Sequence, residues 1–197
     1  MKTILRTAAA LAAVSCLAGC LGAPTPSSTL HTMSRFQAEP VPERDADAVD
    51  LFLHPVSVAP QLDRSQIVVV SPGDEGILVP LPLDRWASSL KDEAAHELWV
   101  AIERERTAYR VRPVPTRTPP ADAATLRVVL LHAEGAFAEG RVAGSVHLVA
   151  DCTLTRPGQS ERHWVARFTR TPDAPTVSAY VDTLRDLLAD LAASIPD

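Results

Sequence analysis

The sequence predicts an α/β (α+β) fold: a single domain in which a mixed, largely antiparallel β-sheet is covered by two main α-helices. Three observations carry this. Between Leu126 and Phe168 apolar residues alternate along three successive runs, the period of strands buried on one face. Two stretches, residues 86–102 and 177–195, repeat apolar residues every three or four positions, as amphipathic helices do. Short apolar runs broken by Pro and Gly precede the first of these, so strands flank that helix on both sides.

The chain begins with Lys2 and Arg6 ahead of an Ala/Leu/Val-rich run, residues 7–18, the layout of a secretory signal. The run is shorter than the roughly 20 apolar residues that span a bilayer. Leu17-Ala18-Gly19-Cys20 resembles the bacterial lipobox. That resemblance implies diacylation of the Cys20 thiol, cleavage after Gly19 and acylation of the new amino terminus. Cys20 would then carry a covalent lipid anchor; one myristoyl chain binds membranes only marginally, whereas three hold essentially permanently. The competing reading is an ordinary signal peptide with a chance cysteine. The residue after the cysteine is Leu21 and not Asp, which resembles the pattern of bacterial lipoproteins exported to the outer membrane.

Removing residues 1–19 from 197 leaves 178, the size of one domain with a substantial core. The expected organisation is a signal over 1–19, the lipidated cysteine and a flexible tether with room for a short strand over 20–49, and the folded domain over 50–197. Of 19 Lys+Arg the signal removes Lys2 and Arg6, so 17 face 24 Asp+Glu, a balance of −7. This argues against nucleic acid as a partner. Cys16 leaves with the signal and Cys20 is acylated, so Cys152 is the sole remaining thiol and no internal disulfide is expected.

Residues 21–28, rich in Pro, Ser and Thr, read as the tether, and residues 29–36 as a short strand. Residues 37–50, with Pro40, Pro42 and five acidic residues, read as a solvated connection. Residues 51–58 have strand chemistry, but Pro55 removes a ladder donor and places them at an edge or a bulge. A turn over 60–65 leads to Ile67-Val68-Val69-Val70, apolar on both faces and therefore a covered strand. Ser71-Pro72-Gly73-Asp74 is a turn, and residues 76–81 form a third short strand.

Asp84 reads as the N-cap of the first helix, with Trp86, Leu90, Ala94, Leu98 and Ile102 on its inner stripe. Lys91, Asp92, Glu93, Glu97, Glu103, Arg104 and Arg106 read as its solvated face. Residues 109–114 form a strand, and a Pro-rich connection over 115–121 closes it. Leu126, Val128 and Leu130 then alternate, Glu139-Gly140 turns the chain, and Val142 to Leu154 keeps period two. Pro157-Gly158 has type II turn chemistry, and Trp164, Ala166 and Phe168 return. Pro175 and Thr176 open the last helix, which Pro196 ends.

Catalytic chemistry finds little support. His96-Glu97 begins like a zinc-protease helix, but Val100 stands where the second histidine is required. Gly144-Ser145 lacks the nucleophile elbow, and no Gly-rich loop runs from a strand into a helix. The six histidines lack the paired spacing of metal ligands. Cys152 is in phase with Val146, Leu148, Ala150 and Leu154, which reads as an inert core thiol. No catalytic residue, metal or cofactor beyond the lipid on Cys20 is therefore expected.

One constellation stands out: Pro60-Gln61-Leu62-Asp63-Arg64-Ser65-Gln66-Ile67-Val68-Val69, then Arg85-Trp86-Ala87-Ser88-Ser89-Leu90. With the lipobox and the closing helix, it resembles the PqiC family of ABC-type transport auxiliary lipoproteins, and the likeness runs from Cys20 to Ile195. The sequence departs from that family at Ser27-Ser28-Thr29-Leu30, where Tyr-Tyr-Thr-Leu is common. The resemblance implies a compact α/β domain on the periplasmic side of the outer membrane, docking an MCE-domain protein and its inner-membrane complex in lipid transport. Phospholipid contact and self-association are compatible with it. Leu62, Asp63, Arg64, Arg85 and Trp86 then have two readings: a structural set at a strand start, or part of the partner surface. Two other functions compete with docking: a membrane-tethered lipid carrier or chaperone with its own apolar cavity, and a small hydrolase.

Overall fold

The computed structural model describes residues 26–34, 42–71, 74–113, 119–138 and 141–196. The signal, Cys20, most of the tether and the turns expected at Pro72-Gly73 and Glu139-Gly140 lie outside the described residues. The strands are β1 (Thr29–His31), β2 (Val49–Leu53), β3 (Ser57–Val58), β4 (Gln66–Ser71), β5 (Asp74–Trp86), β6 (Tyr109–Pro113), β7 (Ala124–Ala138), β8 (Arg141–Thr155) and β9 (Arg162–Arg170). The helices are α1 (Leu90–Glu105) and α2 (Val177–Ala193).

The long strand β7 joins the two halves of the sheet. Along one edge it pairs antiparallel with β8, which in turn pairs with β9. Along the other edge it takes β2, β3 and β4 in succession, all parallel: Leu51 faces Ala124, Ser57 faces Val129 and Val70 faces Ala136. β6 extends the sheet beyond β2, and β5 with β1 extends it beyond β4. The result is one mixed, largely antiparallel sheet in a single domain. α1 and α2 pack on each other and on one face of it, with Leu126, Val128 and Leu130 of β7 and Leu148, Ala150 and Cys152 of β8 buried beneath. The opposite face of β7–β9 presents Arg127, His147, His163 and Arg167 to solvent, as antiparallel sheets allow.

Local chemistry explains most boundaries. His54-Pro55-Val56 separates β2 from β3 at the expected interruption. Gly158 has φ +68 and the Gln159 amide donates to the Arg156 carbonyl at 3.2 Å, the positive φ that a Pro-Gly turn requires at its third residue. Thr176 caps α2, its hydroxyl accepting from the Ala179 amide at 3.2 Å.

Three expectations are corrected. β5 runs to Trp86, not to Leu81, because residues 84–86 are held in a parallel ladder with β1. Asp84 is therefore a strand residue, and α1 begins at Leu90 under a Ser89 cap whose hydroxyl accepts from the Asp92 amide at 3.3 Å. Glu93 and Glu97 do not belong to a solvated face: they are only 5% and 8% exposed.

Candidate functional site

The Pro60–Ser65 turn is built by its own backbone. The Leu62 amide donates to Ala59 at 2.8 Å, Asp63 to Pro60 at 3.4 Å and Arg64 to Leu62 at 2.8 Å. Leu62 is 2% exposed and anchors the turn in the core. Asp63 and Arg64 are thereby turned outward. Asp63 reaches Lys91 of α1 at 3.5 Å, an exposed pair of little energetic weight. Among the described residues the Arg64 side chain has no hydrogen-bond or ion-pair partner.

Trp86 is 4% exposed, its amide donating to Ser65 at 2.9 Å and its ring tilted against Tyr180 of α2 at a 6.4 Å centroid distance. Tyr180 is itself buried, and its hydroxyl donates to the Ala133 carbonyl at 2.6 Å. Gly135 makes room for that ring, since a Cβ there would stand 3.2 Å from Tyr180 Cδ2. Of the five residues read as part of a partner surface, Leu62 and Trp86 are thus buried beneath the turn and not on its outward side. Arg85, beside Gln66 on β4 and Leu30 on β1, is half-buried, and its Nε lacks a hydrogen-bond partner. The outward residues of the set are thus Asp63 and Arg64, with Arg85 at their margin.

A second feature lies beside this turn, and sequence reasoning missed it. The incoming N-terminal segment is clamped to the start of α1. His31 Nε2 meets Asp84 Oδ1 at 2.8 Å, and the Ala87 amide donates to His31 at 2.7 Å. Glu93 Oε2 accepts from Thr32 Oγ1 and the Met33 amide, each at 2.9 Å, while its Oε1 accepts from the Ser88 hydroxyl at 2.9 Å and the Ser88 amide at 3.3 Å. Four donors satisfy a carboxylate that burial would otherwise penalise. Glu97, one turn on, accepts from the Ser34 side chain; burial raises its pKa, with that hydrogen bond and nearby His96 and Arg185 opposing and Glu93 adding to the rise. A legible signal existed for the helix start: Ser89-Leu90-Lys91-Asp92 is a capping box.

Elsewhere the chemistry is sparse. Among the described residues no group of three or more His, Cys, Asp or Glu could hold a metal ion. Cys152 is buried and its thiol is pushed up to about 12, by desolvation first and then by Asp151, so it is not a nucleophile at neutral pH. A depression of about 170 Å³ lined by Gly144, Thr171, Pro172, Asp173, Ala174 and Pro175 is small and open to solvent. Among the described residues no helix is long and apolar enough to cross a membrane.

Residues 31–196 match the family described as the ABC-type transport auxiliary lipoprotein component. Among curated proteins none matches the sequence significantly. Two solved structures share the fold. One, described only as an uncharacterized protein, has a TM-score of 0.66 at 16% identity over 85% of this chain and 95% of its own. The other, protein XCC0632 from Xanthomonas campestris of family DUF330, has a TM-score of 0.59 at 16% identity over 84% and 91%.

Proposed function

The chain belongs to the ABC-type transport auxiliary lipoprotein family, and from that membership we infer that it is a non-catalytic, outer-membrane-anchored periplasmic subunit of an MCE-type lipid transport system. In this reading Cys20 carries the anchor and the domain docks a partner tunnel protein, joining it to the membrane. The observation that carries the reading is the family match across residues 31–196. The shape of the Pro60–Ser65 turn supports it locally. An arginine held outward on a rigid backbone, without an intramolecular partner among the described residues, loses little when a partner acid takes it up. The tethered-carrier reading gains nothing from the small open depression beside Gly144.

The test is affinity capture of the full-length protein from detergent-solubilised membranes, with Cys20→Ala and Arg64→Ala alongside. Recovery of an MCE-domain protein, reduced by Arg64→Ala at unchanged melting temperature, is expected. Capture of phospholipid without any such protein overturns the docking role.

A further inference from the structure

The β5 stretch Gly76-Ile77-Leu78-Val79-Pro80-Leu81-Pro82-Leu83 carries no charged side chain, yet Ile77, Val79 and Leu83 stand exposed. Leu30 of the neighbouring β1 is 65% exposed. Single exposed apolar residues are ordinary, but four on two paired strands make a surface that wants an occupant. β4 pairs one edge of β5, whereas β1 reaches the other edge only at residues 84–86. Pro80 and Pro82 remove two amide donors from this stretch, so it is a poor template for an added strand. Its occupant is met by side chains and not by backbone pairing.

The start of the chain selects that occupant. From Cys20 to Thr29 there are nine residue steps, 29 minus 20, which span at most about 30 Å when extended. β1 thus begins within one short tether of the acylated cysteine, and Leu30 sits on the apolar surface itself. A mature charge of −7 gives no net attraction to anionic headgroups, and residues 76–83, which carry no charge, meet lipid through apolar contact. We propose that Leu30, Ile77, Val79 and Leu83 rest on the phospholipid bilayer that holds the Cys20 anchor, laying β5 along the membrane surface. This rests on the lipidation of Cys20 put forward above.

The test uses the full-length lipidated protein in phosphatidylcholine vesicles, with a nitroxide at Ile77→Cys or Leu83→Cys and a control label at Arg167→Cys on the open sheet face. The buried Cys152 stays unlabelled. On adding vesicles, the labels at 77 and 83 are expected to lose collisions with a soluble nickel chelate and to gain collisions with oxygen, independently of salt; the control keeps its chelate collisions. Labels at 77 and 83 as chelate-accessible as the control, on protein that floats with the vesicles, overturn the proposal. So does spin–spin broadening that grows with protein concentration before vesicles are added, which assigns the surface to a second copy. Protein that fails to float overturns the lipidation of Cys20, and the bilayer contact with it.

Discussion

Replacing Glu93 with alanine should release the N-terminal segment from the domain while leaving the rest of the sheet intact. The carboxylate accepts two backbone amides, Met33 at 2.9 Å and Ser88 at 3.3 Å, and two hydroxyls that can turn to other acceptors. The buried Met33 amide left unpaired costs about 1–3 kcal/mol, while the Ser88 amide, on an exposed residue, and the hydroxyls can turn to water and add little, so a loss of about 2 kcal/mol is expected. For a domain of this size that lowers the melting temperature by about 4–8 °C. The local signature is sharper: the Met33 amide, buried and protected in the native protein, should exchange with deuterium far faster, while amides of β7 and β8 keep their order of protection. Thermal unfolding with residue-resolved hydrogen exchange measures both. A melting temperature within about 2 °C of the parent, or an unchanged Met33 amide, would refute the clamp.

Trp86→Ala should cost about 3–5 kcal/mol in a denaturant titration by emptying the space against Tyr180, where a surface residue would cost under about 0.5 kcal/mol. Glu97→Gln tests the pH dependence: because burial raises the native pKa above the ordinary 4.5, the stabilising contribution of Glu97 is complete below that value and lost as pH rises through the native pKa. The variant should therefore gain stability over the parent at neutral pH and lose that advantage in acid, and equal differences at both would contradict the burial argument. Iodoacetamide should leave Cys152 unmodified in the native protein at neutral pH and alkylate it once denaturant is added, as mass spectrometry would report.

How far the sequence could be read follows from the range of the forces involved. β4 appears where Ile67 to Val70 announced it, and β8 and β9 follow their alternation, because period two is a local signal. The β5 boundary was not legible. Pro80 and Pro82 look like breakers, and they are tolerated because β1 leaves that edge of the strand unpaired until residue 84. Trp86 falls four residues before Leu90 and so mimics a helix stripe, although its place is set by the ladder with His31. Glu93 and Glu97 look solvated because charge usually is, and only the return of residues 32–34, some 60 positions away in sequence, makes their burial affordable. Of the outward set, Asp63 and Arg64 were found by motif; that Leu62 and Trp86 point inward needed the tertiary structure.

The succession of β2, β3 and β4 along one edge of β7 also sets a timetable for folding. Each of these parallel pairings joins residues about 70 apart, Leu51 to Ala124 and Val70 to Ala136 among them, so each closes a long loop before any contact rewards it. Pairings of such separation form slowly. A chain delivered amino terminus first presents β3 with no strand to pair until β7 arrives, and β2 with none before β6. During that interval the apolar side chains of residues 51–58 are open to misassociation, which makes the emergence of residues 124–138 the step that commits the chain to its native form.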